Sequence, residues 1–339
     1  MKGRVMFNRL LMGAAALSLA ATVAFGIEGV KFFVGEGDKS EAYMTMVNEK
    51  ILGIGFVLSD PHEHIDNAYK TKWGLPTQTV KGVTGPHPDF DPSFKVTLDN
   101  LGFFSVTNDA AMGPLLMKEP SLGGFSPFNF HIYKVKGEDK TYVGHVMPDT
   151  MLDIVGVKDK EVRAKFSATF TELDKLTATQ IGSKVKMVDY TALPKQPMMT
   201  FEVPFTGDHE AFKADFQGRF EESFEANKYI IAGYKDMKEA MANVDVKFDR
   251  FDEYFVYSLC HFKFSEGIFN RGRPDAGVFA PCSMYMYVDK GSNKMMVGMP
   301  RLESWIAVMG IKDKVMVDSI MNLDKDVIRI MEELGAKQL

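Results

Sequence analysis

Cys260 and Cys282 are the two cysteines of the chain and the residues best suited to do chemistry. Each sits in a strand-like stretch, Ser258-Leu259-Cys260-His261-Phe262 and Ala280-Pro281-Cys282. Two thiols near the ends of neighbouring strands can form a disulfide, act as a redox pair or hold a soft metal ion. They can equally be small buried residues, since free cysteine is among the most buried side chains. The residues alone leave these alternatives open. His261 alternates to the opposite face from Cys260 if the strand is regular, which makes it a poor third ligand.

Other candidates are weaker. The 23 methionines bring copper to mind, because thioethers suit Cu(I). Cys282, Met284 and Met286 share a strand face by their spacing, but core packing accounts for them as well. His62 and His64, with Asp60 and Asp66 close by, form a His-x-His pair that lacks an evident third metal ligand. His87 lies in a Pro-rich turn. No phosphate-cradling glycine loop and no Gly-x-Ser-x-Gly element occurs, and no carboxylate pair can be assigned to general acid and base. No cofactor is evident and no catalytic motif is recognisable, so the question of an enzyme stays open, with a non-enzyme the first reading.

The elements that must position these residues follow from an internal repeat. Residues 125–160 align with 279–314 without a gap, and twelve of the 36 positions are identical. Chance would give roughly two at average composition. Phe125/Phe279, Pro127/Pro281, Gly137/Gly291 and the run Lys158-Asp159-Lys160/Lys312-Asp313-Lys314 are among the matches. In this alignment Cys282, Met284 and Met286 stand where Phe128, Phe130 and Ile132 stand, an apolar face. The chain is therefore two copies of one module.

In the second copy, Met198–Phe205 alternates like a strand. Phe212, Phe216, Phe220 and Phe224 then mark one face of a helix over 208–226, with Asp208 as N-cap. Strands near 229–232, 253–262, 278–288 and 294–299 and a helix over 312–335 follow. The first copy gives the same order: a strand near 28–34, a helix near 40–52, strands near 54–58, 101–107, 125–135 and 140–146, and a helix over 158–178. The fold expected is α+β, two tandem β-α-β4-α modules, each an antiparallel sheet with its helices on one face, packed as an intrachain pseudo-dimer in a monomer. The boundaries read as a first module over 27–187 with a Pro-rich insertion at 60–97, a linker at 188–197 and a second module over 198–339. The Phe stripe and Trp305 read as core.

The N-terminus reads as an export signal. Lys2, Arg4 and Arg9 precede an apolar run from Leu10 to Phe25, and small residues fit cleavage after Ala24. The expected location is the periplasm, with no stable membrane insertion once residues 1–24 are removed. An uncleaved inner-membrane anchor is the alternative. Cleavage removes three positive charges and no negative ones, taking the net charge from −5 to −8. Such a protein is a poor partner for nucleic acid or anionic lipid.

The two cysteine elements and the apolar strand Ser283-Met284-Tyr285-Met286-Tyr287 resemble the uncharacterised bacterial and archaeal family called domain of unknown function 302. That family carries a Gly-x-Cys-Asn-Pro-like element on one strand and a Leu-Pro-Cys element opening the next. Here Ser258, His261 and Phe262 replace its Gly, Asn and Pro, while both cysteines keep their places. The first copy resembles the family more weakly. It has Thr107-Asn108-Asp109 and Ser126-Pro127-Phe128 at the two elements and has lost both thiols. The resemblance implies a β-α-β4-α fold and a site position, but no reaction. The function expected is binding of a small apolar or sulfur-containing ligand in the second module, at Cys260, Cys282 and His261. The alternatives are a thiol-redox or soft-metal protein using the two cysteines, and a structural or interaction protein stapled by a Cys260–Cys282 disulfide.

Overall fold

A computed structural model describes residues 26–339. The expected signal peptide, residues 1–24, lies outside the described residues. Among these residues no helix is long and apolar enough to cross a membrane.

The first module runs β1 (Ile27–Glu36), α1 (Ser40–Thr45), β2 (Val57–His62), α2 (Ile65–Tyr69), β3 (Thr77–Val80), β4 (Val83–Pro86), β5 (Leu98–Thr107), α3 (Asp109–Lys118), β6 (Phe128–Val135), β7 (Lys140–Val146), α4 (Pro148–Ile154), α5 (Lys160–Gln180) and β8 (Lys184–Tyr190). The second runs β9 (Met198–Pro204), α6 (His209–Ala226), β10 (Tyr229–Asp236), α7 (Met237–Ala242), β11 (Phe251–His261), α8 (Phe262–Ser265), β12 (Cys282–Asp289), β13 (Lys294–Pro300), α9 (Glu303–Met309), α10 (Lys314–Glu333) and β14 (Lys337–Gln338). Each module builds a six-stranded antiparallel sheet. The orders are β2-β5-β6-β7-β1-β8 and β10-β11-β12-β13-β9-β14, the same path traced twice. The mixed α+β class and the β-α-β4-α core match the expectation, and each core gains one closing strand, β8 or β14.

The residues that repeat do repeated work. Asp159 and Asp313, the centres of the two Lys-Asp-Lys runs, cap α5 and α10 by accepting hydrogen bonds from Val162 and Met316 backbone N–H groups. Gly137 and Gly291 take the left-handed conformation in the β6–β7 and β12–β13 turns, where a Cβ would be strained. On α6, Phe216, Phe220 and Phe224 are fully buried, each contributing about 1.5–3 kcal/mol of apolar burial.

Alternation along β6 and β12 divides each sheet into two faces. Phe128 packs against Phe170 of α5, with ring centroids 4.7 Å apart, so this face is covered by helices. The next residue, Asn129, donates to the carbonyl of Gly277 in the other module. His131 places its ring 2.7 Å from the Pro274 carbonyl. In return, Ser283 reaches the Pro127 carbonyl, and the Tyr254 hydroxyl donates to the Pro120 carbonyl at 2.5 Å. Each module thus lends a 3-10 turn, Pro120–Phe125 or Pro274–Phe279, to the inner face of its partner. Gly123 and Gly277 are equivalent in the repeat. Each lies too close to the opposite module for a side chain, against Tyr254 and Tyr285 in one case and His131 and Phe103 in the other.

Four boundaries shift from the sequence expectation. The proposed linker 188–197 begins inside β8, which ends at Tyr190. The insertion starts after His62, because residues 60–62 complete β2. It is also more ordered than loops and turns: it holds α2, a π-helical turn at Lys70–Gly74 and the β3–β4 hairpin. Finally, Phe125 and Val278, expected to open strands, lie in the exchanged 3-10 turns.

Candidate functional site

The two cysteines come together where β11 ends and β12 begins. Cys282 is the cross-strand partner of Leu259, so Cys260 is one residue out of register with it. Both residues are partly buried and both thiols are free, so the candidate disulfide is not formed in this structure. Burial pushes the Cys260 thiol up to about 11. Burial raises Cys282 further, with a smaller contribution from the neighbouring Cys260. A site that disfavours the thiolate is poorly suited to nucleophilic or exchange chemistry at neutral pH.

Behind the thiols lies an apolar chamber of about 20 Å³, walled by Tyr229, Leu259, Phe264, Phe269, Trp305 and Val327 among others. That is space for one water-sized group. His261, Phe264 and Leu323 line this chamber and also a larger outer groove of about 380 Å³, which runs between α10 and the segment after β11. These three residues form the partition between the two spaces. His261 is the cross-strand partner of Tyr229, and the two rings meet edge to face at 5.2 Å in the chamber wall. It is the last residue of β11, and its Nδ1 caps α8 by accepting from the Phe264 backbone N–H at 3.2 Å. Burial lowers its pKa, which favours the neutral ring. The ladder pairs Ile230↔Cys260 and Tyr229↔His261 follow one another without a bulge, so the two side chains alternate across the sheet.

Two site residues were not singled out from the sequence. Tyr229 is buried, walls the chamber and has no hydrogen-bond partner for its hydroxyl. Ser265 also walls the chamber, and its hydroxyl oxygen accepts from the Tyr69 hydroxyl of the first module at 2.8 Å. A polar residue flanking a cysteine strand was the available signal for Ser265. Nothing in the sequence links it to Tyr69.

The other candidates lie elsewhere. His62 ends β2, and its Nε2 is buried without a partner. His64 precedes α2 in a left-handed conformation. Among the described residues, no three His, Cys, Asp or Glu side chains are grouped so as to hold a metal ion, which leaves the His62/His64 pair without a third ligand. Met284 and Met286 are fully buried in the core.

The matching place in the first module is smaller. Thr107 stands for Cys260 and Phe128 for Cys282, as the pairs Val57↔Thr107 and Val106↔Phe128 mirror Ile230↔Cys260 and Leu259↔Cys282. Only about 10 Å³ remains there, under Phe56, Phe128 and Phe170. His145, the counterpart of Met299, is fully buried and pairs with Asp174 at 2.8 Å, and Lys31 bonds the same carboxylate at 2.7 Å. Burial would raise the Asp174 pKa, but His145 and Lys31 outweigh it and hold the carboxyl low.

Residues 210–334 match the family described as "Domain of unknown function DUF302". The crystal structure of an uncharacterized conserved protein DUF302 from Bacillus stearothermophilus is similar at 16% identity and a TM-score of 0.32. The match covers 39% of this chain and 95% of that one. No curated protein matches the chain. It is thus the second module, the half that holds both cysteines, whose sequence resembles the family of the domain of unknown function DUF302.

Proposed function

We propose that the chain is an exported, non-enzymatic protein that holds a small, largely apolar or sulfur-containing ligand in its second module. The first module is read as a degenerate copy of the same domain, kept as a scaffold. The observation that carries this reading is the contrast between Phe128 and Cys282: about 10 Å³ remains beside the benzyl side chain of one module, and about 20 Å³ beside the thiol of the other. Apolar walls with a few polar groups are the usual makeup of a small-molecule site. The unpartnered Tyr229 hydroxyl supports the reading further, since a buried donor gains from any acceptor brought to it.

The chamber admits only a water-sized group as it stands, so an apolar tail enters from the outer groove by displacing Phe264 and Leu323. The rest of the ligand remains in the groove, beside His261. A thiol-redox or soft-metal role requires thiolates, and burial opposes them at both positions. A stapling role requires a bridge between thiols that are free in this structure.

The test is native mass spectrometry of the full chain expressed with its N-terminus and recovered from the periplasm. The expected mass is that of residues 25–339 with two free thiols, plus a non-covalent adduct that organic extraction removes and that Cys282→Phe does not carry. A bridged pair with no adduct supports the stapling alternative, and a copper adduct supports the soft-metal one. An uncleaved chain in the membrane fraction supports the anchored alternative.

A further inference from the structure

The segment that closes the chamber, Phe262–Asn270, packs against the insertion of the first module. Phe262 lies between Tyr69 and Trp73, with ring centroids at 5.0 and 5.2 Å, the latter pair stacked. Lys263 sits over the Trp73 ring at 4.6 Å. Tyr69 is fully buried, and its hydroxyl donates to Ser265, which in turn donates to the Phe262 carbonyl. At the far end of the segment, Thr97 donates to the Asn270 carbonyl at 2.6 Å, and Asn270 donates back to the Lys95 carbonyl at 2.9 Å. The segment itself is a short α-helical turn followed by a π-helical turn, not a long regular element.

We propose that this insertion is a latch: Tyr69 and Trp73 hold Phe262–Asn270 against the chamber, and access to Cys260 and Cys282 requires that contact to loosen. The proposal rests on reading the chamber as the site. Three observations carry it. Phe264, part of the partition between groove and chamber, is two residues from the clamped Phe262. Ser265 belongs both to the chamber wall and to the hydrogen bond with Tyr69. The insertion has no counterpart in the second module, and it meets the wall of the chamber beside the two cysteines. The first module thereby serves the site as a positioning element, with Tyr69 and Trp73 acting through Phe262 and Ser265. Local opening of such a segment costs less than global unfolding and sets how often a buried group is reached.

The test is the rate at which N-ethylmaleimide alkylates Cys260 and Cys282 in the native full-length protein, mapped by peptide mass. Wild type is compared with Trp73→Ala and with the conservative Tyr69→Phe, and a denaturant titration gives each variant's unfolding constant. The latch requires that both variants speed alkylation by roughly tenfold more than their unfolding constants rise. Acceleration that only tracks the unfolding constant, or none at all, overturns it. No ligand enters this measurement, so the two readings separate. A chain that binds no apolar probe but shows the excess acceleration keeps the latch and loses the binding function. A chain that binds a probe without the acceleration does the reverse.

Discussion

Cys282 occupies on β12 the place that Phe128 occupies on β6. Each is the cross-strand partner of an equivalent residue, Leu259 or Val106, and each points to the helix-covered face of its sheet. One duplicated scaffold thus carries a plug in one copy and a thiol in the other.

Exchanging the two should exchange the cavities. Phe128→Cys is expected to open a void in the first module and cost about 3 kcal/mol, as large-to-small changes in a packed core do. Cys282→Phe is expected to fill the chamber at a cost of about 1–3 kcal/mol from overpacking. Chemical denaturation of both variants measures these costs, and a crystal structure of each locates the void.

Tyr229→Phe should stabilise the ligand-free protein. It removes a buried hydroxyl that has no partner and keeps the ring, so about 1 kcal/mol of gain is expected. The same change should weaken ligands that carry a hydrogen-bond acceptor and leave pure hydrocarbons unaffected. A thermal melt, with paired titrations of acetophenone and ethylbenzene, checks both halves.

The Cys260 thiol, raised to about 11 by burial, gives an alkaline signature. Its ordinary value is 9.0. Between these values the unfolded chain has lost the proton and the folded chain keeps it. The contribution is therefore complete below pH 9 and falls by up to about 1.4 kcal/mol per pH unit as pH rises towards 11. Other groups titrate in this range, so the quantity to measure is the difference between wild type and Cys260→Ala. That difference should shrink steadily from pH 9 to 11.

His131 gives the opposite signature at the module interface. Burial lowers its pKa to about 4, against the pull of the Gly102 and Pro274 carbonyls on its two ring nitrogens. Below pH 6.5 the unfolded chain takes up a proton that the folded chain refuses. Stability should therefore fall as pH drops from 6.5 to 4, by up to about 1.4 kcal/mol per unit. Denaturant midpoints of wild type and His131→Phe should converge over that range.

The repeat in the sequence carried most of the fold. Identity at Gly137/Gly291 and at the Lys-Asp-Lys runs marked turns and caps whose geometry is local, and the Phe212–Phe224 stripe marked a buried helix face directly. Strand β8 is less legible: Lys184, Lys186 and Asp189 make it an exposed, charged edge, and its short alternation breaks at Val188. The exchanged 3-10 turns were read as strand starts, because a Phe-x-Pro run has the same composition in either setting. At the site, Cys260 and Cys282 are visible as residue types, but the wall that His261 forms with Tyr229 and Phe264 is set by packing between elements. The clamp of Tyr69 and Trp73 on Phe262 joins residues about 190 positions apart, a contact fixed only by tertiary packing.

The most direct measurement is a fluorescence titration of N-phenyl-1-naphthylamine into wild type and Cys282→Phe, both in a Trp73→Phe background. Trp305, in the chamber wall, is then the sole tryptophan and reports on the site through energy transfer. The expected result is saturable transfer from Trp305 in the Cys282 protein and its loss in the folded Cys282→Phe protein. Equal binding by the two, or no binding by either, contradicts a ligand site in the thiol chamber.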